Sequence, residues 1–349
     1  MAGFAILGAF DRISDNRFGI GKHFEEGILA MGSLALAMIG IISLAPVLAN
    51  VLKPVVVPVF SFFGADPAMF AGTILACDMG GGALASQLTS DTDAALLGGV
   101  ITGSMLGATI VFTIPVALGI LRPEDRPAMA KGILCGIVTI PLGILAGGLT
   151  AGFSLGMVAK NLIPIILIAV LIALGLWKAE QLLIKGFTVF GKAITVLITL
   201  GLAAAIFEEL TGLALIPGMA PISEGFDTVG AIAIVLAGAF PLVFVATKLL
   251  EKPLTKAGRL LGINDTAAAG LVASLANSIA TFGMLGDMDQ RGKVVNVAFA
   301  VSAAFVFGDH LGFAAGFAPE ILPAMIVGKL VGGISAIGVA LLLTRKKIA

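Results

Sequence analysis

Eleven apolar stretches follow one another along this 349-residue chain, joined only by short polar loops. They cover 1–11 (segment A), 27–52 (B), 66–89 (C), 94–121 (D), 128–153 (E) and 161–178 (F). They continue through 186–207 (A′), 226–249 (B′), 264–287 (C′), 292–316 (D′) and 321–344 (E′). About 20 apolar residues in helical form cross a bilayer, and most of these runs are that long. Hydrophobic residues make up 58% of the chain and charged residues 12%, against about 25% charged in a soluble domain. With a mean hydropathy of +1.11, the chain reads as an all-α polytopic membrane protein embedded in a lipid bilayer.

Other classes fall away on the same reading. Lys plus Arg and Asp plus Glu both number 21, so no charge excess points to nucleic acid. Cys77 and Cys135 lie singly in apolar runs, with no disulfide framework or metal-ligand spacing. No phosphate-binding loop or other cofactor motif is present, so neither a cofactor nor ATP-driven transport is expected. The N-terminus lacks the basic region and cleavage site of a removable signal peptide. A homo-oligomer stays open.

The prime labels mark an internal repeat. A shift of 198 residues carries Glu26, Gly27, Gly32, Gly40, Gly64 and Gly72 onto Glu224, Gly225, Gly230, Gly238, Gly262 and Gly270. With a small gap, Gly107-Ala108-Thr109 falls on Gly308-Asp309-His310, and Met129, Gly132 and Gly136 fall on Met325, Gly328 and Gly332. The expected organisation is a first transmembrane repeat (1–155), a linking helix (156–185) and a second repeat (186–349). Internal repeats are common in transporter folds.

Basic residues then fix the path of segments C and C′. Cytoplasmic loops carry an excess of Lys and Arg, which puts Arg345, Lys346 and Lys347 inside. If C′ crossed, the loop with Lys248, Lys252, Lys256 and Arg259 would lie outside, and so would the loop with Arg122, Arg126 and Lys131. If C and C′ are re-entrant helical hairpins, all the basic loops fall inside. The loop with Glu208, Glu209, Glu224 and Asp227 then falls outside. Segments A, B, D, E and F cross between A and A′, an odd number, so the repeats are inverted and about nine crossings result.

A hairpin of this length has two arms of roughly 15 Å, half of a ~30 Å hydrocarbon core. Its turn sits at the midplane. In C the turn is Asp78-Met79-Gly80-Gly81-Gly82, and the glycines permit reversal and backbone exposure. In C′ it is Leu275-Ala276-Asn277-Ser278, with Asn277 opposite Asp78. Irregular backbone at that depth is tolerated where it is buried in protein or lines a cavity. D and D′ are interrupted at Gly107-Ala108-Thr109 and Gly308-Asp309-His310. Inverted symmetry brings both tips and both interruptions to one site lined by Asp78, Thr109, Asn277, Ser278, Asp309 and His310. Two carboxylates, an imidazole and neutral hydrogen-bonding groups make a pocket for a cation that bears a hydroxyl. Phe112, Phe305, Phe307 and Phe313 could add apolar wall and a cation–π face.

Each residue also has a plainer role. Asp78 suits an N-cap on the second hairpin arm, Asn277 and Ser278 could serve only hairpin backbone, and Asp309-His310 could be a structural pair at a helix end. Glu25 and Glu26 suit the start of helix B electrostatically.

HFEEGILAMGSLALAMIGIISLAPVLA (23–49), FAGTILACDMGGGALA (70–85) and GSMLGATIVFTIPVALGIL (103–121) resemble the ethanolamine-utilisation membrane permease family in order and spacing. The similarity extends through the C-terminal half. It implies a multi-pass protein of the bacterial inner membrane that admits ethanolamine, a small ammonium with one hydroxyl. It implies no enzyme and supplies no binding residues. The residues above come from the topology. A facilitator or uniporter is the expected mechanism. A proton-coupled or exchange carrier for another small amine, an intramembrane enzyme using Asp78 and Asp309, and a noncatalytic membrane subunit are the rivals.

Overall fold

The computed structural model describes residues 1–344, apart from nine side chains between positions 247 and 259. Arg345, Lys346 and Lys347, which anchor the orientation argument, lie outside the described residues. Among those described, the chain is helical with no strand. Helix α1 is Ala2–Ile13, α2 Ile20–Phe62, α3 Ala68–Ile74 and α4 Gly82–Leu88. Helix α5 spans Thr92–Ile120, α6 Pro123–Thr150, α7 Leu155–Lys178 and α8 Glu180–Thr211. The second half has α9 (Ile222–Leu261), α10 (Asp265–Ala276), α11 (Ser278–Gly283), α12 (Gln290–Ala303), α13 (Asp309–Phe317) and α14 (Leu322–Leu343).

Among the described residues, seven helices are long and apolar enough to cross a membrane. The count of nine included segments A and D′. Helix α1 has 12 residues, about 18 Å of helix, short of a ~30 Å core. Its buried Asp11 accepts the backbone N–H of Phe18 at 2.9 Å and of Gly21 at 2.8 Å, fixing the turn into α2. Segment D′ is divided into α12 and α13, each shorter than a span.

Segments B and B′ are longer than their apolar runs suggested. Helix α2 has 43 residues and α9 has 40, roughly 60 Å or more each. The apolar runs end at 52 and 249, yet the helices run on, through Pro46, Pro54 and Pro58 in α2 and through Pro241 and Pro253 in α9. Proline inside a membrane helix is tolerated where neighbours satisfy the freed backbone groups. The two long helices pack on each other, α6 packs against α14, and α12 lies against both. The halves therefore interlock.

The segments around α3–α4 and α10–α11 each fold back. Thr89 Oγ1 donates to Asp66 Oδ2 at 2.9 Å, joining the residues just outside α4 and α3. Asn264 N–H donates to Asp289 Oδ1 at 2.9 Å, and its side-chain amide donates to Asp287 O at 3.0 Å. Halfway along, Thr281 Oγ1 donates to Gly270 O at 2.8 Å, a pair that a straight helix would hold about 16 Å apart.

The two segments begin and end at different places. Asp66 N–H donates to Asn161 Oδ1 at 2.7 Å, near the end of α6, where Ser61, Asp91 and Ser154 border one open cleft. Another cleft gathers Glu124 and Lys131 from the start of α6 with Gly262, Asp289, Arg291 and Thr344. There Lys293 Nζ donates to Asp125 Oδ1 at 2.5 Å, a buried ion pair. The two ends of α6, 28 residues apart, are about 40 Å distant.

The interruption expected in segment D at 107–109 is absent: α5 runs unbroken from Thr92 to Ile120, with wider, π-type turns through that region. Segment D′ does break, before α13, and both Gly107 and that break press against the folded-back segment of their own half. A Cβ on Gly107 would lie 1.8 Å from Leu75 O, and one on Gly308 would lie 2.1 Å from Ala276 O. Only glycine allows either approach. Gly107→Ala is therefore expected to cost about 1–3 kcal/mol or more through forced separation. The measurement is thermal unfolding of the purified protein in detergent, where an unchanged midpoint would show that α5 can give way.

Candidate functional site

A cavity of about 180 Å³ lies where the turn between α3 and α4, helix α5 and the break before α13 meet. Drug-sized ligands occupy about 300–1,000 Å³, so this volume suits a molecule of a few heavy atoms. Helix α2 contributes Ser33, Leu34 and Ala37, and α5 contributes Ala108 and Phe112. The turn between α3 and α4 contributes Ala76, Asp78 and Met79, and the break before α13 contributes Phe305, Asp309 and His310.

The turn is built by its glycines. Gly80 has φ +95°, in the left-handed region, and its α-carbon faces the Ile41 side chain so closely that a Cβ would lie 2.2 Å from it. The N–H groups of Met79 and Gly81 both donate to Ala76 O. This holds Asp78 at the mouth of α4, with Oδ1 enclosed and without a hydrogen-bond partner. Asp309 and His310 open α13 directly after Gly308, where the helix terminus favours a carboxylate. The preceding break leans on the second folded-back segment, since Phe305 N–H donates to Ser274 O and Phe307 N–H to Leu275 O.

Phe305 itself has φ +63°. That is an outlier for a bulky residue, and such strain collects at functional sites. Its ring stands edge-on to Phe112 at 5.4 Å and lies 5.2 Å from the His310 ring. Of the four phenylalanines singled out in the sequence, these two line the cavity. Phe313 stacks on Phe317 at 4.9 Å instead.

His310 Nε2 lies 3.7 Å from Asp78 Oδ1. On its other side, Nδ1 lies 3.0 Å from Lys329 Nζ, which also donates to Ser104 O at 2.5 Å. Lys329 is 1% exposed. Its absence from the sequence reading is instructive, because an ionisable residue in the middle of an apolar span is by default a functional one. It follows Gly328, whose repeat mate Gly132 is followed by Ile133. Donor atoms of Cys77, Asp78 and His310 lie within 4.8 Å of one another. A metal ion there would share the imidazole with the lysine, which already provides a cationic group.

The remaining sequence candidates do not border this cavity. Asn277 Oδ1 accepts the N–H of Ile279 at 2.8 Å, so its side chain caps α11. Ser278 Oγ is buried without a partner. The Thr109 hydroxyl lies 2.7 Å from Met105 O and 3.0 Å from Val301 O, bridging α5 to α12. Glu25 pairs with Arg12 at 3.2 Å, which ties α1 to α2, and Glu26 pairs with His23 at 2.7 Å within α2. Thr109→Val should cost about 0.5–1.5 kcal/mol of stability and leave ligand affinity unchanged. Titration of the detergent-solubilised variant checks this, and weakened binding would return Thr109 to the site.

The profile of the family described as "Ethanolamine utilisation protein, EutH" matches residues 1–343. A "Probable ethanolamine permease EutH" of Listeria monocytogenes is 62% identical over 343 residues, covering 98% of this chain and 92% of the relative. A protein of the same name from Escherichia coli is 52% identical, covering 95% of this chain and 87% of the relative. "Uncharacterized protein YxeR" of Bacillus subtilis is 52% identical, covering 99% and 93%. No solved structure matches the chain.

Proposed function

The chain belongs to the EutH family of ethanolamine utilisation proteins, and from that premise we propose that it carries protonated ethanolamine across the bacterial inner membrane. The carrying observation is the small cavity bordered by two carboxylates, Asp78 and Asp309. One of them has an enclosed oxygen with no hydrogen-bond partner. An ammonium supplies the missing partner. His310 Nε2 faces the same space and can address the hydroxyl, while Phe112 and Phe305 provide the apolar wall.

In this reading α3–α4 and α10–α11 are re-entrant hairpins, because the residues flanking each are hydrogen-bonded together. Their openings lie at opposite ends of α6, which supports an inverted repeat. The α12–α13 pair, taken end to end, would add an eighth crossing to the seven long helices, and only α1, too short to span as a straight helix, separates this from the nine expected. Alternating exposure of the cavity then needs no ATP. An inside-negative potential draws a monovalent cation inward with about 2.3 kcal/mol per 100 mV, enough for a uniporter.

A second reading, proton-coupled transport, is favoured by one observation. Lys329, His310 and Asp78 form a chain of titratable groups from the bundle interior to the cavity.

Proteoliposomes holding this chain alone should take up radiolabelled ethanolamine faster than empty vesicles. Uptake no faster than leak would refute the transport reading. Asp78→Asn should weaken binding by about 1.5–3 kcal/mol, the worth of a charged hydrogen bond, with the protein still assembled. Equal affinity in that variant would remove Asp78 from the site. For topology, Ser61→Cys and Thr92→Cys should label from one side of the membrane, and Leu260→Cys and Gln290→Cys from the other. Labelling of either pair from both sides would rule out its hairpin.

A further inference from the structure

We infer that Lys329 sets the charge of the cargo: acting through His310, it cancels one of the two cavity carboxylates and leaves room for one ammonium only. The inference rests on the reading of the cavity as an ethanolamine site.

Two lysines are buried among the described residues. Lys293 meets a carboxylate directly, Asp125 at 2.5 Å. Lys329, more deeply enclosed, meets none. Its hydrogen-bond partners are a backbone carbonyl, Ser104 O, and an imidazole nitrogen, His310 Nδ1. A buried ammonium is costly without a compensating anion. The anions at hand lie beyond the imidazole, with Asp78 Oδ1 3.7 Å from Nε2 and Asp309 on the same cavity wall. Among the described residues, no Lys or Arg lines the cavity.

In this proposal Lys329 is an ammonium and both acids are carboxylates. An ammonium only donates, so Nδ1 then accepts from Lys329 and the imidazole proton sits on Nε2, facing Asp78. His310 is in that state a neutral donor, suited to an acceptor such as a hydroxyl oxygen. Two carboxylates and one ammonium give a net of one negative charge. A monovalent amine neutralises it. A dication leaves a surplus positive charge in a small, mostly apolar cavity, and a zwitterion brings a carboxylate against Asp78. Both are disfavoured by desolvation and like-charge repulsion. Lys329 is a positioning and selectivity residue here, since it acts on the cargo without touching it.

Ethylenediamine tests this, because it has the shape of ethanolamine and carries two charges in mildly acidic buffer. Wild-type proteoliposomes should prefer ethanolamine, and ethylenediamine should compete poorly. Lys329→Met leaves two uncompensated carboxylates and should shift the preference toward ethylenediamine by roughly tenfold or more. The double variant Lys329→Met/Asp309→Asn restores one net negative charge and should restore the preference for ethanolamine. A Lys329→Met protein with wild-type preference overturns the inference. If that variant does not assemble, the wild-type competition decides: ethylenediamine competing as well as ethanolamine also overturns it. Wild-type protein that carries neither amine refutes the underlying transport reading instead.

Discussion

Backbone groups inside hydrocarbon have no water to bond, so every interruption of a membrane helix must be covered by another part of the protein. The rest of this structure depends on how that is done. The break before α13 is covered by the α10–α11 segment, which accepts the N–H groups of Phe305 and Phe307. The turn between α3 and α4 closes on Ala76 O and is backed by α2, with Gly80 against Ile41. Gly107 and Gly308 let backbone meet backbone at equivalent places in the two halves. Interruptions gathered this way leave a cavity, and the ionisable side chains stand around it. Breaks and charges share one place because each needs the shelter that the other creates.

Two buried lysines show how differently such charges can be handled. The Lys293–Asp125 pair is direct and joins α6 to α12 beside an open cleft. The line from Lys329 through His310 to Asp78 is indirect, with an imidazole between the charges and a cavity at its end. A direct pair satisfies both partners. The indirect arrangement leaves a carboxylate oxygen free for something brought from outside.

Much of this was legible in the sequence. Apolar runs gave the helices, and the glycine triplet after Asp78 marked a turn because a helix has no other use for it. Asp78, Asp309 and His310, singled out together in the sequence, line one cavity. The ends of apolar runs were a poor guide to helix ends: α2 and α9 continue past 52 and 249, through Pro54 and Pro253, because packing outweighs local punctuation. Segment A, with only about ten apolar residues, is short for a span and folds as a 12-residue helix tied down by Asp11. Thr109 and Asn277 were candidates by their place in segments D and C′, yet hydroxyls and amides serve backbone as readily as ligand, and both bond backbone here. The left-handed Phe305 leaves no trace in composition. Lys329 was visible as a charge in an apolar run, but its link to His310 depends on how α14 rotates against α13.

In the proposed reading, a cavity with one net negative charge receives one ammonium. The most direct test is the ratio of charge to ethanolamine moved, read from the reversal potential of currents across membranes containing the purified protein under a known ethanolamine gradient. One positive charge per ethanolamine, independent of any pH gradient, is the result this arrangement predicts. Electroneutral movement, or a reversal potential set by the pH gradient, would mean that a proton leaves as the amine enters and would contradict it.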